Sequence, residues 1–408
     1  MDGLSVQSFG PGRPCAICNS RDNRLLFRQS FSQLSNGSSL LSGYDVVACL
    51  KCGFCFADRI PEQSVFDVYY RDMSKYEKAE RGGQDTAYDQ ARFQKMTNVI
   101  LMFLPSPQIH IFEIGCANGQ LLALLKNEGY KNVSGIDPSP VCAETARRRY
   151  DIQVSENTLS DVAVKDGAVD FLILAGVLEH VRDLTPALQV LGKMLPVAGK
   201  IFITVPDASR YAEGEDAPFQ EFSIEHINFF GPDSLTNLML ANGFKLVFIK
   251  QDLISSNMKT TTPVVHGVFE KNENPLAAPL SIDTKTEAGL TLYISQSRQV
   301  DRHIQEAIET VVSASQPIIV WGTGAHTLRL LATSALGRAK IRAFVDSNPR
   351  YQGKKLNDVP VVSPLSLRDF PEPILISSRA YQEEIATQIE EKFQLKNKII
   401  RLYEIKER

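Results

Sequence analysis

The chain has 408 residues, of which 43% are hydrophobic and 22% charged, and its formal net charge is −3. This length predicts two or three domains, each able to bury its own core. Lys and Arg are dispersed, and the basic cluster at residues 147–149 is typical of a solvated helix end, so we expect no nucleic-acid partner. No apolar run approaches the roughly 18 residues of a membrane span, and no leader pattern precedes one, so we expect a cytoplasmic protein.

Four of the seven cysteines form two C-x-x-C pairs near the N-terminus, and these are Cys15, Cys18, Cys49 and Cys52. One pair alone is also compatible with a redox site or buried thiols. Two pairs about 30 residues apart predict a zinc ion held by four thiolates at about 2.3 Å. Because a closed four-thiolate shell leaves no open position for a substrate, we expect this zinc to be structural.

Three tyrosines follow the cysteine pairs, at Tyr69, Tyr70 and Tyr76. They are compatible with aromatic packing between two domains. They are also compatible with a lid that carries Tyr76 over an active site. In that case Tyr69 and Tyr70 are alternative candidates for the lid tyrosine. The sequence leaves both interpretations open.

A glycine-spaced turn then follows an apolar strand predicted at residues 111–114. Gly115 and Gly119 open a helix, and the next predicted strand ends at Asp137. This pattern is typical of a parallel α/β sheet that holds an adenosine cofactor. Glu113 precedes the turn, and its carboxylate would repel a pyrophosphate but attract a cationic sulfonium. The sequence therefore predicts S-adenosylmethionine as the cofactor.

The other predicted cofactor contacts come from the same turn and the two strand ends beside it. Asp137 is expected to accept the ribose hydroxyls, and Pro138 and Ser139 to flank the adenine. The segment at residues 156–159 is expected to close over the adenine edge. The complete predicted donor-binding set is Glu113, Gly115, Ala117, Asn118, Gly119, Asp137, Pro138, Ser139, Asn157 and Leu159.

Between residues 95 and 250 apolar strands alternate with helical patterns. Helices are predicted at 119–129 and 140–149, and further strands at 133–137, near 152, at 170–174 and at 199–205. This order predicts an α/β fold with a doubly wound parallel sheet and ligands at the carboxyl ends of its strands.

Two histidines lie beyond neighbouring strand ends, where a substrate would meet the donor. His180 follows the fourth strand, and His226 lies in the polar loop after the fifth, next to Glu225. Histidine accepts a proton near neutral pH, and a nearby carboxylate can orient it. Glu225 need not touch His226, because adjacent side chains of an extended or turn backbone point in different directions.

A second strand, turn and helix pattern lies near the C-terminus, with Gly322, Gly324 and Asp346. It is compatible with a second cofactor site, or with a degenerate nucleotide fold that forms one wall of a substrate cleft. A phosphate is a reasonable guest at this turn. Residues 272–287 are predicted to be a hinge, and residues 288–313 an amphipathic bridging helix.

With these features together, the chain resembles the three-domain sugar-nucleotide C-methyltransferases that methylate C3 of a thymidine-diphosphate 4-keto sugar. The resemblance implies a zinc-binding module at residues 1–75, a methyltransferase core at 76–271, a hinge and helix at 272–313 and a C-terminal Rossmann-like domain at 314–408. It also implies that His226 is the base and that Glu225, His180 and Tyr76 line the sugar pocket. The family usually has a tyrosine where this chain has Ser223.

Three functions follow from this pattern. The first is C-methylation of a nucleotide-linked keto sugar, in which His226 removes the proton beside the ketone and His180, with Ser223 or a tyrosine, stabilises the enolate oxygen. The second is O- or N-methylation of another small molecule, which the missing tyrosine suggests. The third is a zinc-bearing scaffold without turnover. The sequence makes no prediction of the oligomeric state.

Overall fold

The structure is a computed structural model that describes residues 11–32, 40–72, 87–162, 165–255, 260–272 and 280–403. The strands of these residues are β1 Asn23–Ser30, β2 Gly43–Cys49, β3 Cys55–Asp58, β4 Ile111–Ile114, β5 Val133–Ile136, β6 Gln153–Ser155, β7 Phe171–Ala175, β8 Lys200–Pro206, β9 Asn228–Phe229, β10 Phe244–Ser255, β11 Thr261–Lys271, β12 Ile318–Trp321, β13 Ile341–Val345, β14 Lys355–Leu356, β15 Val359–Val362, β16 Ile374–Ile376 and β17 Ile399–Arg401. The helices are α1 Gln63–Asp72, α2 Ala87–Leu101, α3 Gln120–Asn127, α4 Pro140–Tyr150, α5 Leu184–Met194, α6 Pro232–Ala241, α7 Thr284–Ser313, α8 Ala325–Thr333 and α9 Gln382–Thr387.

The central sheet has the order β10-β11-β8-β7-β4-β5-β6. Its strands are parallel except β11, which pairs antiparallel with both β8 and β10. Strand β7 lies in the middle, and Phe171 and Leu174 are fully buried, as expected of a parallel strand covered by helices on both faces. The predicted α/β doubly wound fold is confirmed. The predicted strands and helices of this region lie within one or two residues of those observed.

The N-terminal sheet contains the cysteine pairs and has the order β1-β2-β3-β9. Strands β1 to β3 are consecutive and antiparallel. The fourth strand, β9, comes from the loop that carries His226, and it pairs with β3 through Phe56 opposite Asn228. The loop that follows β8 and carries His226 therefore contains a strand that pairs with the edge of the N-terminal sheet.

A six-stranded sheet of order β14-β15-β13-β12-β16-β17 forms the C-terminal Rossmann-like part. Helix α7 leads into it and begins at Thr284, four residues before the predicted start at 288. Asp283 causes this earlier start, because its carboxylate caps the helix by accepting a hydrogen bond from the Thr286 N–H at 3.0 Å. Of the predicted hinge, residues 273–279 lie outside the described residues.

Within the described residues, no helix combines the length and the apolar character that crossing a bilayer requires.

Candidate active site

The turn between β4 and α3 brings backbone close to the end of β5. Gly115 and Gly119 have φ angles of 66° and 74°, in the left-handed region that favours glycine. A Cβ at Gly119 would lie 2.8 Å from the Cβ of Ala146 in α4, so this glycine also allows close packing of the two helices. Ala117 adopts φ 46° inside the same turn. The half-buried Asn118 completes the turn.

Asp137 lies at the end of β5 and is held by the turn. Its two carboxylate oxygens accept hydrogen bonds from the N–H groups of Ala117 at 2.8 Å and Ser139 at 2.9 Å. Burial raises the pKa of Asp137 to about 6, against the lowering effect of the two N–H donors. Ser139 itself caps α4, since its hydroxyl accepts from the Cys142 N–H. The carboxylate is thus fixed at the carboxyl edge of the sheet, where its remaining lone pairs can accept ligand hydroxyls.

Glu113 lies under the turn and is 2% exposed. Among the described residues its Oε2 atom has no hydrogen-bond partner. Desolvation, and then the charge of Asp137, raise the pKa of Glu113 to about 8, while Arg92 acts in the opposite direction. A buried carboxylate without a partner is costly unless a cation or a donor reaches it.

A cavity of about 480 Å³ runs from the glycine turn to the histidine loops. It is bounded at the far end by His180 and Glu225. The predicted donor-binding residues that line it are Gly115, Asp137, Pro138, Asn157 and Leu159. The other predicted members, Glu113, Ala117, Asn118, Gly119 and Ser139, build the turn and strand ends behind this lining.

His180 ends a short 3₁₀ turn after β7. Its Nδ1 atom lies 3.0 Å from the main-chain oxygen of Glu225 and 3.0 Å from the Tyr70 hydroxyl. Because a carbonyl oxygen only accepts, the neutral ring carries its proton on Nδ1 and its lone pair on Nε2. That Nε2 atom lies 3.8 Å from Oε1 of the buried Glu179.

His226 packs beside His180, with 5.1 Å between the ring centroids. Potential ligand atoms of Glu179, His180 and His226 lie within 4.8 Å of one another. The carboxylate nearest to Nδ1 of His226 belongs to Glu221, at 3.8 Å. Two imidazole rings and two carboxylates are therefore grouped together, and of these four side chains His180 lines the end of the cavity. Sequence reasoning missed Glu221, because no local pattern relates it to the histidine five residues later.

Two tyrosines of α1 reach the same place. The Tyr69 hydroxyl donates to Glu225 Oε1 at 3.1 Å, and the Tyr70 hydroxyl lies beside His180. Tyr76, the predicted lid residue, lies outside the described residues. Helix α1 itself was not predicted, although its periodicity contained the signal: Gln63, Asp67 and Tyr70 are spaced by four and three residues, and all three line the cavity.

Ser223 has a local role in the His226 loop. Its hydroxyl oxygen accepts hydrogen bonds from the N–H groups of Glu225 at 3.2 Å and His226 at 3.1 Å. Its main-chain oxygen accepts from the Tyr44 hydroxyl at 2.8 Å. Ser223 thus shapes the turn that presents the two following side chains.

The four cysteines of the two C-x-x-C pairs come together at one end of the N-terminal sheet. Their sulfur atoms lie within 4.8 Å of one another, with 3.5 Å between Cys15 and Cys52 and 3.4 Å between Cys18 and Cys49. A tetrahedral zinc ion needs sulfur separations of about 3.8 Å, so small movements would fit this group to an ion. Cys55 is buried in β3 and does not belong to this group.

Comparison with known families agrees with this geometry. Residues 88–248 match the sequence model of a family described as Methyltransferase domain. Residues 314–400 match the model of a family described as C2185-like, N-terminal. No curated protein matches the chain.

Solved structures resemble about half of the chain. One is a 1,6-didemethyltoxoflavin-N1-methyltransferase from Burkholderia thailandensis, with 16% identity, 55% of this chain and 97% of that chain covered, and a TM-score of 0.41. Another is a possible histamine N-methyltransferase from Thermotoga maritima, with 21% identity, 44% and 89% covered, and a TM-score of 0.36. A third is a SAM-dependent methyltransferase from Methanosarcina mazei, with 15% identity, 43% and 98% covered, and a TM-score of 0.37. At these TM-scores the likenesses carry no functional argument.

The residues present fit the predicted cofactor. The turn offers close backbone approach, Asp137 offers a fixed carboxylate for ribose hydroxyls, and Glu113 offers a buried carboxyl whose ionised form would attract the cationic end of the donor. The match at residues 88–248 covers all three. The chain therefore contains a methyltransferase domain at residues 88–248, and the residues of its site fit S-adenosylmethionine as the methyl donor.

Proposed function

We propose that the chain methylates the carbon beside the ketone of a nucleotide-linked keto-deoxysugar, through an enolate. The observation that supports this proposal is the pair His180 and His226, whose ring centroids lie 5.1 Å apart and of which His180 lines the cavity that begins at Asp137. Methylation at carbon requires removal of a weakly acidic C–H proton next to the donor, and two imidazoles with nearby carboxylates supply the groups for it.

His226 takes the proton in this proposal. Glu221 faces its Nδ1 atom at 3.8 Å, which favours the ring form with a proton on Nδ1 and a lone pair on Nε2. The electrons of the C–H bond become those of the enolate. When bound, S-adenosylmethionine would supply an electrophilic methyl group to the enolate carbon, which would form the new carbon–carbon bond while the electron pair of the methyl–sulfur bond stayed on sulfur.

Tyr70 stabilises the enolate oxygen. Because the His180 Nδ1–H faces both Glu225 O and the Tyr70 oxygen, the tyrosine keeps its own O–H for a ligand in the cavity that it lines. Burial raises the pKa of Tyr70 well above its usual value, so the hydroxyl stays protonated and remains a donor. Tyr70 thereby supplies the hydroxyl that the resemblance leads one to expect at Ser223.

The four N-terminal cysteines hold a structural zinc ion in this proposal. The grouping of their sulfur atoms supports it, and four thiolates form a closed tetrahedral shell without an open position. The ion would fix the N-terminal sheet, and no step of the reaction passes through it.

Deuterium exchange tests the reaction. The enzyme is incubated in D₂O with a thymidine-diphosphate 4-keto-6-deoxy sugar and no methyl donor, and incorporation at the carbon beside the ketone is followed by mass spectrometry. We expect the wild-type enzyme to incorporate deuterium at this carbon and the variant His226→Gln to incorporate none. The same sugar with its ketone reduced to an alcohol is the matched control, and it should not exchange.

Methyl transfer to the sugar without any exchange in the donor-free enzyme would contradict the enolate. It would favour the alternative, an O- or N-methyltransferase, for which the turn role of Ser223 is the supporting observation. Binding of neither donor nor sugar would favour the scaffold without turnover. A cytoplasmic location and a small-molecule partner remain predictions.

A further inference from the structure

A buried arginine of the cysteine module reaches into the active-site framework. Arg13 lies two residues before Cys15 and is 5% exposed. Its guanidinium donates to Ala57 O at 2.9 Å and to Arg182 O at 3.0 Å. Its second terminal nitrogen donates to Ile227 O at 2.8 Å and to the side-chain oxygen of Asn228 at 2.9 Å. One side chain thus contacts the N-terminal sheet and both histidine loops.

Asn228 continues this chain of hydrogen bonds. It is 1% exposed, and its side-chain N–H groups donate to Leu178 O at 2.8 Å and to Val181 O at 2.7 Å. Those two carbonyls flank the Glu179–His180 pair in sequence. The amide therefore binds the short turn of His180 on both sides, while its oxygen is held by Arg13.

The two histidine loops are also joined directly. The Ile227 N–H donates to Glu179 O at 2.9 Å, and the Ala57 N–H donates to Ile227 O at 2.8 Å. Ile227 follows His226, and its carbonyl accepts from both Ala57 and Arg13. Each histidine is thus next to a backbone group whose position depends on Arg13 or Asn228.

We propose that Arg13 and Asn228 are positioning residues that set the separation of His180 and His226, so that the cysteine module takes part in building the active site. Neither residue lines the cavity, so both act through the main chain of the two loops. The catalytic meaning of this separation rests on the proposed function, whereas the separation itself is a property of the free protein.

The type of residue supports this role over simple packing. A guanidinium is a planar fork of five N–H donors, and here it donates to four oxygen atoms from three different segments. A buried charge is a poor source of stability by itself, because an apolar side chain of similar volume often serves as well. The guanidinium does fix the positions of the oxygen atoms to which it donates, because its hydrogen bonds are directional, and an apolar side chain cannot do this.

The donor site lies elsewhere. Gly115 and Asp137 are held by the β4–α3 turn and by Ser139, and none of their hydrogen bonds involves Arg13 or Asn228. Loss of the positioning contacts should therefore disturb the histidines and spare donor binding. A general loss of stability would not separate these two properties.

Two variants and one control test the proposal. Arg13→Met removes the fork at similar volume. Asn228→Asp keeps the shape but replaces the donors to Leu178 O and Val181 O by an acceptor. Arg28→Met is the matched control, because Arg28 is a half-exposed arginine of the same module that pairs with Asp45 at 2.8 Å.

Three measurements are made on each protein. Calorimetry gives the affinity for S-adenosylhomocysteine, and NMR of the imidazole Hε1 signals gives the titration midpoints of His180 and His226, assigned with His180→Gln and His226→Gln. Deuterium exchange into the keto sugar gives the rate of proton removal. We expect unchanged affinity, shifted midpoints, and an exchange rate lower on the order of 10²-fold in both variants, since a misplacement near 1 Å has an effect of this size. Arg28→Met should match the wild type.

Wild-type midpoints and exchange rate in Asn228→Asp would overturn the proposal, and this variant decides alone if Arg13→Met does not fold. An equal loss of donor affinity and exchange would also overturn it, because it would show a general structural role. If the wild-type enzyme exchanges no deuterium, the proposed function fails, and the NMR midpoints still test the positioning.

Discussion

The chain contains two doubly wound sheets that repeat one local design. In the central sheet the carboxylate of Asp137 accepts N–H groups from the glycine turn and from the residue two positions later. In the C-terminal sheet Asp346, after β13, likewise accepts from the N–H of Thr323 in the turn after β12 and from the N–H of Asn348. The backbone frame of an adenosine site is thus present twice.

The two frames differ in the charged groups around them. Two residues before the first glycine the central sheet has Glu113, and the C-terminal sheet has Val320 at that place. At the central sheet His180 lines a cavity and packs against His226, whereas His326 in α8 is buried and hydrogen-bonded to Tyr403. The fold supplies the frame, and the buried carboxylate and the titratable groups at the strand ends decide the chemistry.

The largest difference in deuterium exchange rate is expected between two single substitutions, one of a histidine near each sheet. His226→Gln should lower the deuterium exchange rate on the order of 10²- to 10⁴-fold, the range for loss of a general base. His326→Gln should leave the rate unchanged and lower the melting temperature, because the Tyr403 contact is disturbed. Exchange is followed by mass spectrometry and melting by calorimetry. Equal losses of rate in both variants would contradict the comparison.

The two aspartates should differ in donor binding. Asp137→Ala removes the acceptors of the ribose hydroxyls and should weaken S-adenosylmethionine binding about 10- to 100-fold, the equivalent of roughly 1.5–3 kcal/mol. Asp346→Ala should leave this affinity unchanged. Calorimetric titration of both variants with S-adenosylmethionine measures these affinities. An unaltered affinity in Asp137→Ala would remove the basis of the proposed donor site.

Glu113 should make donor binding depend on pH. With a pKa of about 8 in the free protein, this carboxyl is neutral at pH 6 and ionised at pH 9. Since the ionised form attracts the cationic donor, affinity should rise as the pH rises through 8. Glu113→Gln should flatten this rise, and titrations from pH 6 to 9 measure it. A rise that persists in the variant would assign it to another group.

The same carboxyl should influence stability in the opposite sense. Its folded-state pKa of about 8 lies above the ordinary 4.5, so its contribution to stability is present below pH 4.5 and is lost as the pH rises to 8. At pH 8 without ligand, Glu113→Gln should therefore melt a few degrees higher than the wild type. At pH 4 the two melting temperatures should agree. The reverse order at pH 8 would contradict the burial argument.

The sequence was sufficient where a structure depends on neighbouring residues. The turn at Gly115 and the strand end at Asp137 follow from short patterns of glycine, apolar runs and a carboxylate. The same holds for the cysteine pairs and for the bridging helix, whose start was displaced only by the cap at Asp283.

It was insufficient where a contact joins distant segments. Arg13 and Glu221 meet their partners through folding, and no spacing along the chain relates Arg13 to Asn228. Strand β9 has two residues, too few for any periodicity. Helix α1 shows an intermediate case, because its inward spacing was present but the tyrosines in it were compatible with simple packing.

The pairing of β9 with β3 has a consequence for the order in which the protein folds. The residues that complete the His226 loop leave the ribosome after the strand that receives them, which is about 170 positions upstream. A contact of such long sequence separation forms late, on an edge that already exists. The His226 loop should accordingly be among the last parts to reach its native state, after the sheet edge with which it pairs.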